Sequence, residues 1–475
     1  MIGNKHYHLI GIGGTAMASL AGLLKAAGHA VTGSDEGVYP PMSKLLHDLG
    51  IPYREGYAPE NLEPRPDVVI VGNAISRGNP ELEAALNRKL DYTSAAVTIK
   101  DEFIRGRHSL AVAGTHGKTT TASLLAWTLE VAGFEPSFLI GGIAENFGTS
   151  FRLTDSKYFV IEADEYDTAY FDKGPKMWHY LPDTAVVNNI EFDHADIFRD
   201  DVAYRFVFEK FINLIPSNGT LVAGWDSPIV RTLAQKSFAP IESFGYASPG
   251  EAPESAPRWI AEDVVYDEAA TRFAVLHDGE PWGRVETPLA GAFNVRNSLA
   301  AIAAAVSAGA DRDGILEALR TFRSVRRRME VRGVMNGVTV IDDFAHHPTA
   351  VRETIAAARQ RFPGRRLVAV FEPRSYTAQR REFQDAYQQA FGAADEVILG
   401  GLFHPERYTA ETAMNPSELV EAWKRAGKPA FQDASTDRIA AHLARTTATG
   451  DVVLIMSNGG FGGIHEKLLE ALRQR

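Results

Sequence analysis

The amino-acid sequence predicts an α/β protein of three domains, each built around a mostly parallel sheet. The chain has 475 residues, whereas a single hydrophobic core stops growing at roughly 250–300 residues. Short apolar runs alternate with amphipathic stretches, as in parallel sheets that carry helices on their faces. The apolar runs HYHLI and SLAVA each lead into a glycine turn and a helical stretch. We expect domains at residues 1–108, 109–325 and 326–475.

The first glycine turn predicts a Rossmann-like N-terminal domain. Residues 11–16 match G-x-G-x-x-A between a strand and a helix. Glycines let the backbone approach a pyrophosphate, which then lies against the free N–H groups of the helix N-terminus. Asp35 ends the second predicted strand, about 20 residues further on, where such domains often bind a ribose hydroxyl. Taken alone, the turn fits a purely structural turn, an NAD site or a sugar-nucleotide site.

The second glycine turn predicts a central domain of the P-loop ATPase type with a parallel sheet. Residues 114–120 read GTHGKTT between SLAVA and a helix. In such a loop the backbone N–H groups cradle phosphates, the lysine (here Lys118) reaches the β- and γ-phosphates, and the Thr119 hydroxyl ligates Mg²⁺. The match to the full Walker A pattern is incomplete, because Val112 stands where that pattern has glycine. The loop favours ATP as its ligand.

Acidic and amide residues near predicted strand and helix ends extend this site. Residues 162–165 read EADE after the run KYFVI. Carboxylates at the carboxyl edge of a parallel sheet, beside a phosphate loop, are expected Mg²⁺ ligands, with Glu162 first among them. His194 follows another predicted strand, where a lone histidine is either structural or a metal ligand. Asn294 and Asn297 begin a helix and either cap it or hold an adenine edge.

The third domain is predicted to be a Rossmann-like α/β domain. Its apolar runs are GVTVIDDFA, RRLVAVFEP, DEVILGG and DVVLIMSNGG. Polar residues follow two of these runs, at 342–348 and 372–377, and clusters at successive strand ends indicate one ligand crevice. Arg374 is suited to pair with a substrate carboxylate. The arginines of residues 323–328 form either an anion site or a solvated linker.

Composition excludes several classes of function. The formal net charge of −11 argues against a nucleic-acid partner, since such domains usually carry a basic surface. The absence of cysteine excludes disulfides, cysteine nucleophiles and thiolate metal sites. No apolar run approaches the length of a membrane span, and the N-terminus shows no signal-peptide pattern. We therefore expect a cytoplasmic protein without a membrane partner.

Together these motifs resemble the Mur ligase family of cell-wall enzymes over essentially the whole chain. The segments that carry the resemblance are GIGGTAMASLA (11–21), GTHGKTTT (114–121), EADEYD (162–167), NNIEFDHAD (188–196), NVRNSLAA (294–301), RRRMEVRG (326–333) and DDFAHHPT (342–349). The resemblance implies an ATP-dependent ligase that activates a carboxylate as an acyl phosphate and joins it to an amine. The first domain then binds UDP-N-acetylmuramate, the second ATP, and the third the amine.

The resemblance also implies a role for individual residues. UDP-sugar binding falls to Gly11, Gly13, Gly14, Thr15, Asp35 and His116. ATP binding falls to Gly114, Thr115, Gly117, Lys118, Thr119, Thr120, Asn297, Arg328 and Asp343. Arg327 is the alternative to Arg328. The catalytic residues are Lys118, Glu162 and His194, and the Mg²⁺ ligands are Thr119, Glu162 and His194. The amine substrate meets His347 and Arg374, and no carbamylated lysine is expected.

Two amines are compatible with this resemblance. Residues 34–46, 162–173, 188–198 and 371–380 favour the tripeptide L-alanyl-γ-D-glutamyl-meso-diaminopimelate, and hence a role in murein recycling. Tyr376 departs from that pattern, which carries asparagine there. The alternative amine is L-alanine, used in new peptidoglycan synthesis. Rivals of other classes are an NAD-dependent dehydrogenase and a non-catalytic nucleotide-binding regulator. The oligomeric state is expected to be a monomer or a homodimer.

Overall fold

The N-terminal part of the chain forms a parallel sheet flanked by helices. The structure is a computed structural model that describes residues 4–193, 197–247, 256–409 and 411–475. The strands are β1 (His6–Ile10), β2 (Ala30–Asp35), β3 (Tyr53–Glu55), β4 (Val68–Val71) and β5 (Tyr92–Ser94), and the helices are α1 (Thr15–Ala26), α2 (Met42–Asp48), α3 (Pro80–Asn87) and α4 (Ala95–Ile99). The order β3-β2-β1-β4-β5, with every pairing parallel, is that of a Rossmann half.

The central part of the chain forms a ten-stranded sheet within the described residues. Its elements are β6 (His108–Ala113), α5 (Lys118–Val131), β7 (Ser137–Ala144), β8 (Thr149–Arg152), β9 (Tyr158–Glu162), β10 (Asp167–Ala169), β11 (Asp172–Pro175), β12 (Thr184–Val187), α6 (Asp201–Asn213), β13 (Thr220–Gly224), α7 (Pro228–Ala234), β14 (Ile241–Tyr246), β15 (Trp259–Tyr266), β16 (Thr271–His277), β17 (Glu280–Thr287), α8 (Ala292–Ser307) and α9 (Arg312–Thr321). The order is β17-β16-β15-β14-β13-β12-β6-β9-β7-β8, parallel from β15 to β7 and antiparallel at both ends. Strands β10 and β11 form a separate hairpin.

The C-terminal part forms a third sheet of six strands. Its elements are β18 (Glu330–Met335), β19 (Val338–Asp343), α10 (Pro348–Arg361), β20 (Leu367–Phe371), α11 (Gln384–Ala390), β21 (Glu396–Leu399), α12 (Pro416–Arg425), β22 (Ala430–Gln432), α13 (Thr436–Thr446), β23 (Val452–Met456) and α14 (Ile464–Arg473). The order is β18-β19-β23-β20-β21-β22, and only the β18–β19 pairing is antiparallel. Strands β19, β20 and β23 are almost wholly buried, which explains their continuous apolar sequence.

Helix α8 shows why the central sheet has a thick core on one face. Its sequence NSLAAIAAAV is buried on nearly every side, because small alanines let the helix lie close to both the sheet and helix α5. The helix nevertheless has only 16 residues, fewer than the roughly 20 that a membrane span needs. Across the described ranges, no helix combines the length and the apolar character that crossing a bilayer requires.

The first and second parts of the chain are joined by specific contacts. Helix α1 lies so close to β8 that a Cβ at Gly22 would come within 2.2 Å of Phe151 Cζ. Ser19 and Ser150 share a hydrogen bond of 2.8 Å at the same place. Buried side chains of the first and second sheets thus belong to one continuous cluster. The predicted α/β class with three parallel-type sheets is confirmed, whereas the domain boundaries stay a prediction.

Candidate active site

A single large cleft opens at the carboxyl ends of the strands of all three sheets. Its volume is about 1260 Å³. Its wall includes Thr15 at the start of α1, Lys118 at the start of α5, and Asp343 at the end of β19. Ligand sites in parallel α/β folds lie at this edge of the sheet. Residues that are distant in sequence therefore converge on one volume that is large enough for several substrates.

The phosphate loop is shaped by two glycines in the left-handed region. Gly114 has φ +131° and Gly117 has φ +83°. A Cβ at Gly117 would lie 2.4 Å from Asn297 Oδ1, so only glycine fits this position. Helix α5 begins immediately afterwards, and no side chain caps it. Its free N–H groups face the cleft, as an anion-binding helix start requires.

Lys118 lies at the centre of this site. Its Nζ donates to Gly114 O at 2.9 Å and to Glu165 Oε2 at 2.6 Å, and lies 4.0 Å from Asp164 Oδ1. Burial lowers the pKa of Lys118, but the neighbouring carboxylates of Glu165 and Asp164 outweigh it, so the pKa lies above its ordinary value. The side chain therefore stays positively charged, which suits it to bind a phosphate rather than to transfer a proton.

Thr119 and Glu162 present adjacent oxygens that suit a hard cation. The Thr119 hydroxyl donates to Glu162 Oε1 at 2.8 Å, and the backbone N–H of Gly141 donates to Glu162 Oε2 at 2.7 Å. Burial, and then the nearby Asp164 carboxylate, raise the pKa of Glu162. A divalent cation would relieve this crowding of negative charge, and hydroxyl and carboxylate oxygens are the ligands that Mg²⁺ prefers. The pair therefore fits the predicted metal.

A second polar group joins the phosphate loop to the third domain. His116 Nε2 lies 3.2 Å from Glu191 Oε2, and His347 Nδ1 lies 3.8 Å from the same oxygen. The three ligand atoms lie within 4.8 Å of one another, as a metal site would need. Burial lowers the pKa of His347 to about 4. Both ring nitrogens of His347 are buried, and neither has a hydrogen-bond partner among the described residues.

The remaining residues of the predicted ATP site lie in the loop itself, in the first turn of α5 and at the start of α8. Thr115 Oγ1 donates to Glu191 O at 3.0 Å, and Thr120 is buried in the first turn of α5. Asn297 donates to Asn294 Oδ1 at 3.0 Å and lines the cleft. Helix α8 starts after Gly291 without a side-chain cap, so capping, the default reading for the two asparagines, is wrong.

The arginine segment is part of the site rather than a solvated linker. Arg328 Nη2 donates to Thr119 Oγ1 at 3.3 Å, across the junction of the second and third sheets. Arg327 instead donates to the carbonyls of Ser457 and Gly459, at 2.6 and 2.7 Å. The structure thus directs Arg328, and not Arg327, to the phosphate loop.

Asp343 is buried beside this segment. Its carboxylate accepts from the N–H groups of Met329 and Ala345, both at 2.8 Å, and burial raises its pKa. Since Met329 directly follows Arg328, these bonds help to fix the segment. Asp343 also lies on the cleft wall.

The first glycine turn reaches the cleft through its helix start. Asp35 Oδ2 accepts from the N–H of Gly13 at 2.8 Å, and Gly11 takes a positive φ of +87°. Gly14 and Thr15 are exposed, and Thr15 lies on the cleft wall. The predicted residues of this turn therefore lie together, and the Asp35 carboxylate fixes the backbone of the turn.

Among the described residues, neither predicted amine-binding residue lies on this wall, and the predicted residues Gly11, Gly13, Gly14, Asp35 and Gly114 do not line it either. Arg374 stacks on Phe403, with its Cζ 3.6 Å from the ring centroid, and does not line the cleft as far as the described chain shows. His347 lies behind His346, which is a wall residue. His194 lies outside the described residues.

Sequence reasoning missed two side chains of the site. Lys176 follows the β10–β11 hairpin and lines the cleft. Glu191 lies close to both His116 and His347, although the sequence did not indicate a role for it. A lysine downstream of the acidic segment and a carboxylate within the His194 motif were the available signals. Neither signal shows which residues the side chain contacts, because those contacts form only in the folded chain.

Three family models match successive parts of the chain. The one described as the Mur ligase family catalytic domain matches residues 6–101, the Mur ligase middle domain matches 112–305, and the Mur ligase glutamate ligase domain matches 327–459. Each match contains one of the three sheets. The matches therefore cover all of the cleft-lining residues except Ser324, Val325 and Arg326.

Full-length relatives agree with these matches. The chain is 44% identical to the UDP-N-acetylmuramate–L-alanyl-γ-D-glutamyl-meso-2,6-diaminoheptandioate ligase of Escherichia coli, over 98% of both chains. It is 34% identical to the UDP-N-acetylmuramate–L-alanine ligase of Burkholderia cenocepacia, over 99% of both chains. It is similar to the crystal structure of a murein peptide ligase from Psychrobacter arcticus, with a TM-score of 0.73, 37% identity and 99% coverage of both chains. The chain therefore belongs to the Mur ligase family and is an ATP-dependent, amide-bond-forming ligase.

Proposed function

We propose that this chain joins L-alanyl-γ-D-glutamyl-meso-diaminopimelate to the carboxylate of UDP-N-acetylmuramate, as a murein peptide ligase of peptidoglycan recycling. The observation that carries the proposal is the identity of 44% to the tripeptide-adding enzyme of Escherichia coli, against 34% to an L-alanine-adding enzyme over the same length. L-alanine is the alternative amine. A cytoplasmic location and a monomeric or homodimeric state are further parts of the proposal.

The cleft suits transfer of the γ-phosphate from ATP to a carboxylate. The carboxylate oxygen attacks the γ-phosphorus, the bond to the β,γ-bridging oxygen breaks, and ADP leaves with the electron pair. Two anions must approach each other, so the barrier is mainly electrostatic. Lys118 would exchange Glu165, now 2.6 Å away, for the γ-phosphate. Arg328 lies 3.3 Å from Thr119 and adds a second cation on the third-domain side.

Thr119 and Glu162 would hold Mg²⁺. When bound, the ion supplies charge neutralisation to the phosphate oxygens. His194 is proposed as a further ligand on its sequence motif alone. In the second half of the reaction the amine attacks the acyl carbon, its proton is lost to solvent, and phosphate leaves. His347, with both ring nitrogens lacking a partner among the described residues, is proposed to receive the amine substrate together with Arg374.

The first domain is proposed to bind the UDP group and the second ATP. The first glycine turn and the phosphate loop open on one cleft, so a ligand held by its pyrophosphate at Thr15 can extend toward Lys118. Asp35 is proposed to serve the UDP site by holding the Gly13 N–H in place. Asn297, beside Gly117, is proposed to contact the adenine.

The test is an assay of the purified chain with ATP, Mg²⁺ and UDP-N-acetylmuramate. Tripeptide and L-alanine are offered separately, phosphate release is followed, and products are identified by mass spectrometry. We expect turnover with the tripeptide and the mass of the UDP-linked tripeptide product. UDP-N-acetylglucosamine, which lacks the carboxylate, is the matched control and should give no phosphate release.

Each amine gives a distinct outcome. Turnover with L-alanine and none with the tripeptide would replace the proposed amine while leaving the ligase chemistry intact. No turnover with either amine, in protein that binds ATP and UDP-N-acetylmuramate, would reject both substrates.

A further inference from the structure

The β10–β11 hairpin spans the gap between the first and second sheets. At its tip, Phe171 packs edge-to-face on Tyr92 of the first sheet at 5.0 Å. At its base, the N–H of Lys176 donates to Tyr166 O at 3.1 Å, beside the acidic segment after β9. The hairpin therefore extends from the first domain, which is proposed to bind UDP, to the phosphate loop. A sugar acid whose UDP group lies in the first domain and whose carboxylate reacts at the phosphate loop would lie along it.

Lys176 presents an incompletely compensated cation on this path. Its side chain is 12% exposed, and its Nζ lies 3.9 Å from Asp164 Oδ2 and 4.1 Å from the Tyr166 ring centroid. Within the part of the chain that the structure describes, its ammonium makes no hydrogen bond. Burial lowers the pKa of Lys176. A buried cation without a close partner is costly, so a ligand anion would stabilise it.

Lys118 lies near the other oxygen of the same carboxylate and has different partners. Asp164 lies 4.0 Å from Lys118 and 3.9 Å from Lys176. Lys118 has a second carboxylate, Glu165, at 2.6 Å, whereas Asp167, Glu162 and Glu165 act on Lys176 only from beyond ion-pair distance. Apart from these two lysines, the Lys and Arg residues on the described cleft wall are all arginines, and they lie between residues 296 and 352. Lys176 is therefore the cation placed on the sugar side of the phosphate loop.

We propose that the Lys176 ammonium binds the carboxylate of the acceptor, a nucleotide-linked sugar acid, and holds it beside the γ-phosphate that Lys118 binds. The proposal rests on the proposed function and identifies the carboxylate subsite of that same cleft. One lysine thus serves each of the two reacting anions. The division explains why the chain places two lysines near the two oxygens of Asp164.

Binding measurements on three variants test this division. Lys176→Met removes the charge and keeps the length, Lys176→Gln is a second neutral variant, and Lys176→Arg keeps the charge. Lys173→Met is the matched control, because Lys173 lies on the same hairpin, is 69% exposed and pairs with Asp167. Dissociation constants for UDP-N-acetylmuramate and for carboxylate-free UDP-N-acetylglucosamine are measured by calorimetry, and steady-state kinetics give the KM for ATP.

We expect the neutral variants to bind UDP-N-acetylmuramate about 10- to 100-fold more weakly, as for loss of a charged hydrogen bond. Binding of UDP-N-acetylglucosamine and the KM for ATP should not change, and Lys176→Arg should recover part of the loss. Equal weakening for both UDP sugars, or none for the sugar acid, would overturn the subsite. Unchanged binding of UDP-N-acetylglucosamine also shows that a variant is folded.

Failure of the proposed function gives a different result. If the unaltered chain does not bind UDP-N-acetylmuramate more tightly than UDP-N-acetylglucosamine, the acceptor itself is wrong. If the unaltered chain shows that preference and the neutral variants keep it, only the role of Lys176 is wrong.

Discussion

The two glycine turns of this chain are built alike and are chemically different. Each connects a buried parallel strand, β1 or β6, to the first turn of a helix, α1 or α5. At the first turn, Asp35 holds the Gly13 N–H at 2.8 Å and the helix starts with Thr15. At the second, the helix starts with Lys118, surrounded by carboxylates. We propose that the shared geometry binds a phosphate group and that the neighbouring side chains decide whether that phosphate reacts.

The largest expected effect is the loss of the cation that only the second turn carries. Lys118→Met should lower kcat by roughly 10²–10³-fold, as for removal of one strong electrostatic contact to the transition state. Binding of UDP-N-acetylmuramate should stay within about twofold, because the first turn is untouched. Steady-state kinetics and calorimetry measure the two quantities. Lys25→Met, at the exposed end of α1, is the control and should keep full activity.

Unchanged turnover in Lys118→Met would mean that the phosphate loop binds ATP without catalysing its reaction. The chain would then be closer to a nucleotide-binding regulator than to a ligase. An equal loss of UDP-N-acetylmuramate binding would instead show that the two turns do not act independently.

The local parts of both turns were predictable from sequence. The glycines, Lys118 and Glu162 lie at or directly after the ends of their strands. Their position at the carboxyl edge of the sheet, where ligands bind, therefore follows from the strand pattern alone. The contact of Arg328 with Thr119 joins residues 209 positions apart, and the segment alone did not distinguish it from Arg327. Arg327 takes the left-handed backbone conformation, with φ +60°. Lys176 was missed for the same reason, because its partners come from another strand end.

Glycine substitutions compare the backbones of the two turns. Gly117→Ala should lower the free energy of unfolding by about 1–2 kcal/mol, because an L-residue at φ +83° is strained. The new Cβ would also lie 2.4 Å from Asn297 Oδ1. Gly14→Ala should change stability by less than about 0.5 kcal/mol, since φ is −67° and the nearest atom to the new Cβ is 3.8 Å away. Chemical denaturation of both variants measures the difference, and equal losses would contradict the structural contrast.

The smallest expected effect is on the carboxylate that fixes the first turn. Asp35→Ala removes the acceptor of the Gly13 N–H, so that the turn loses its preorganised shape. The KM for UDP-N-acetylmuramate should rise about tenfold, as for a lost hydrogen bond to a charged group, while kcat and the KM for ATP stay within about twofold. Asp48→Ala, at the exposed end of α2, is the control in steady-state kinetics. A fall in kcat at constant KM would assign Asp35 to the reaction itself, and the division between a binding turn and a reacting turn would then fail.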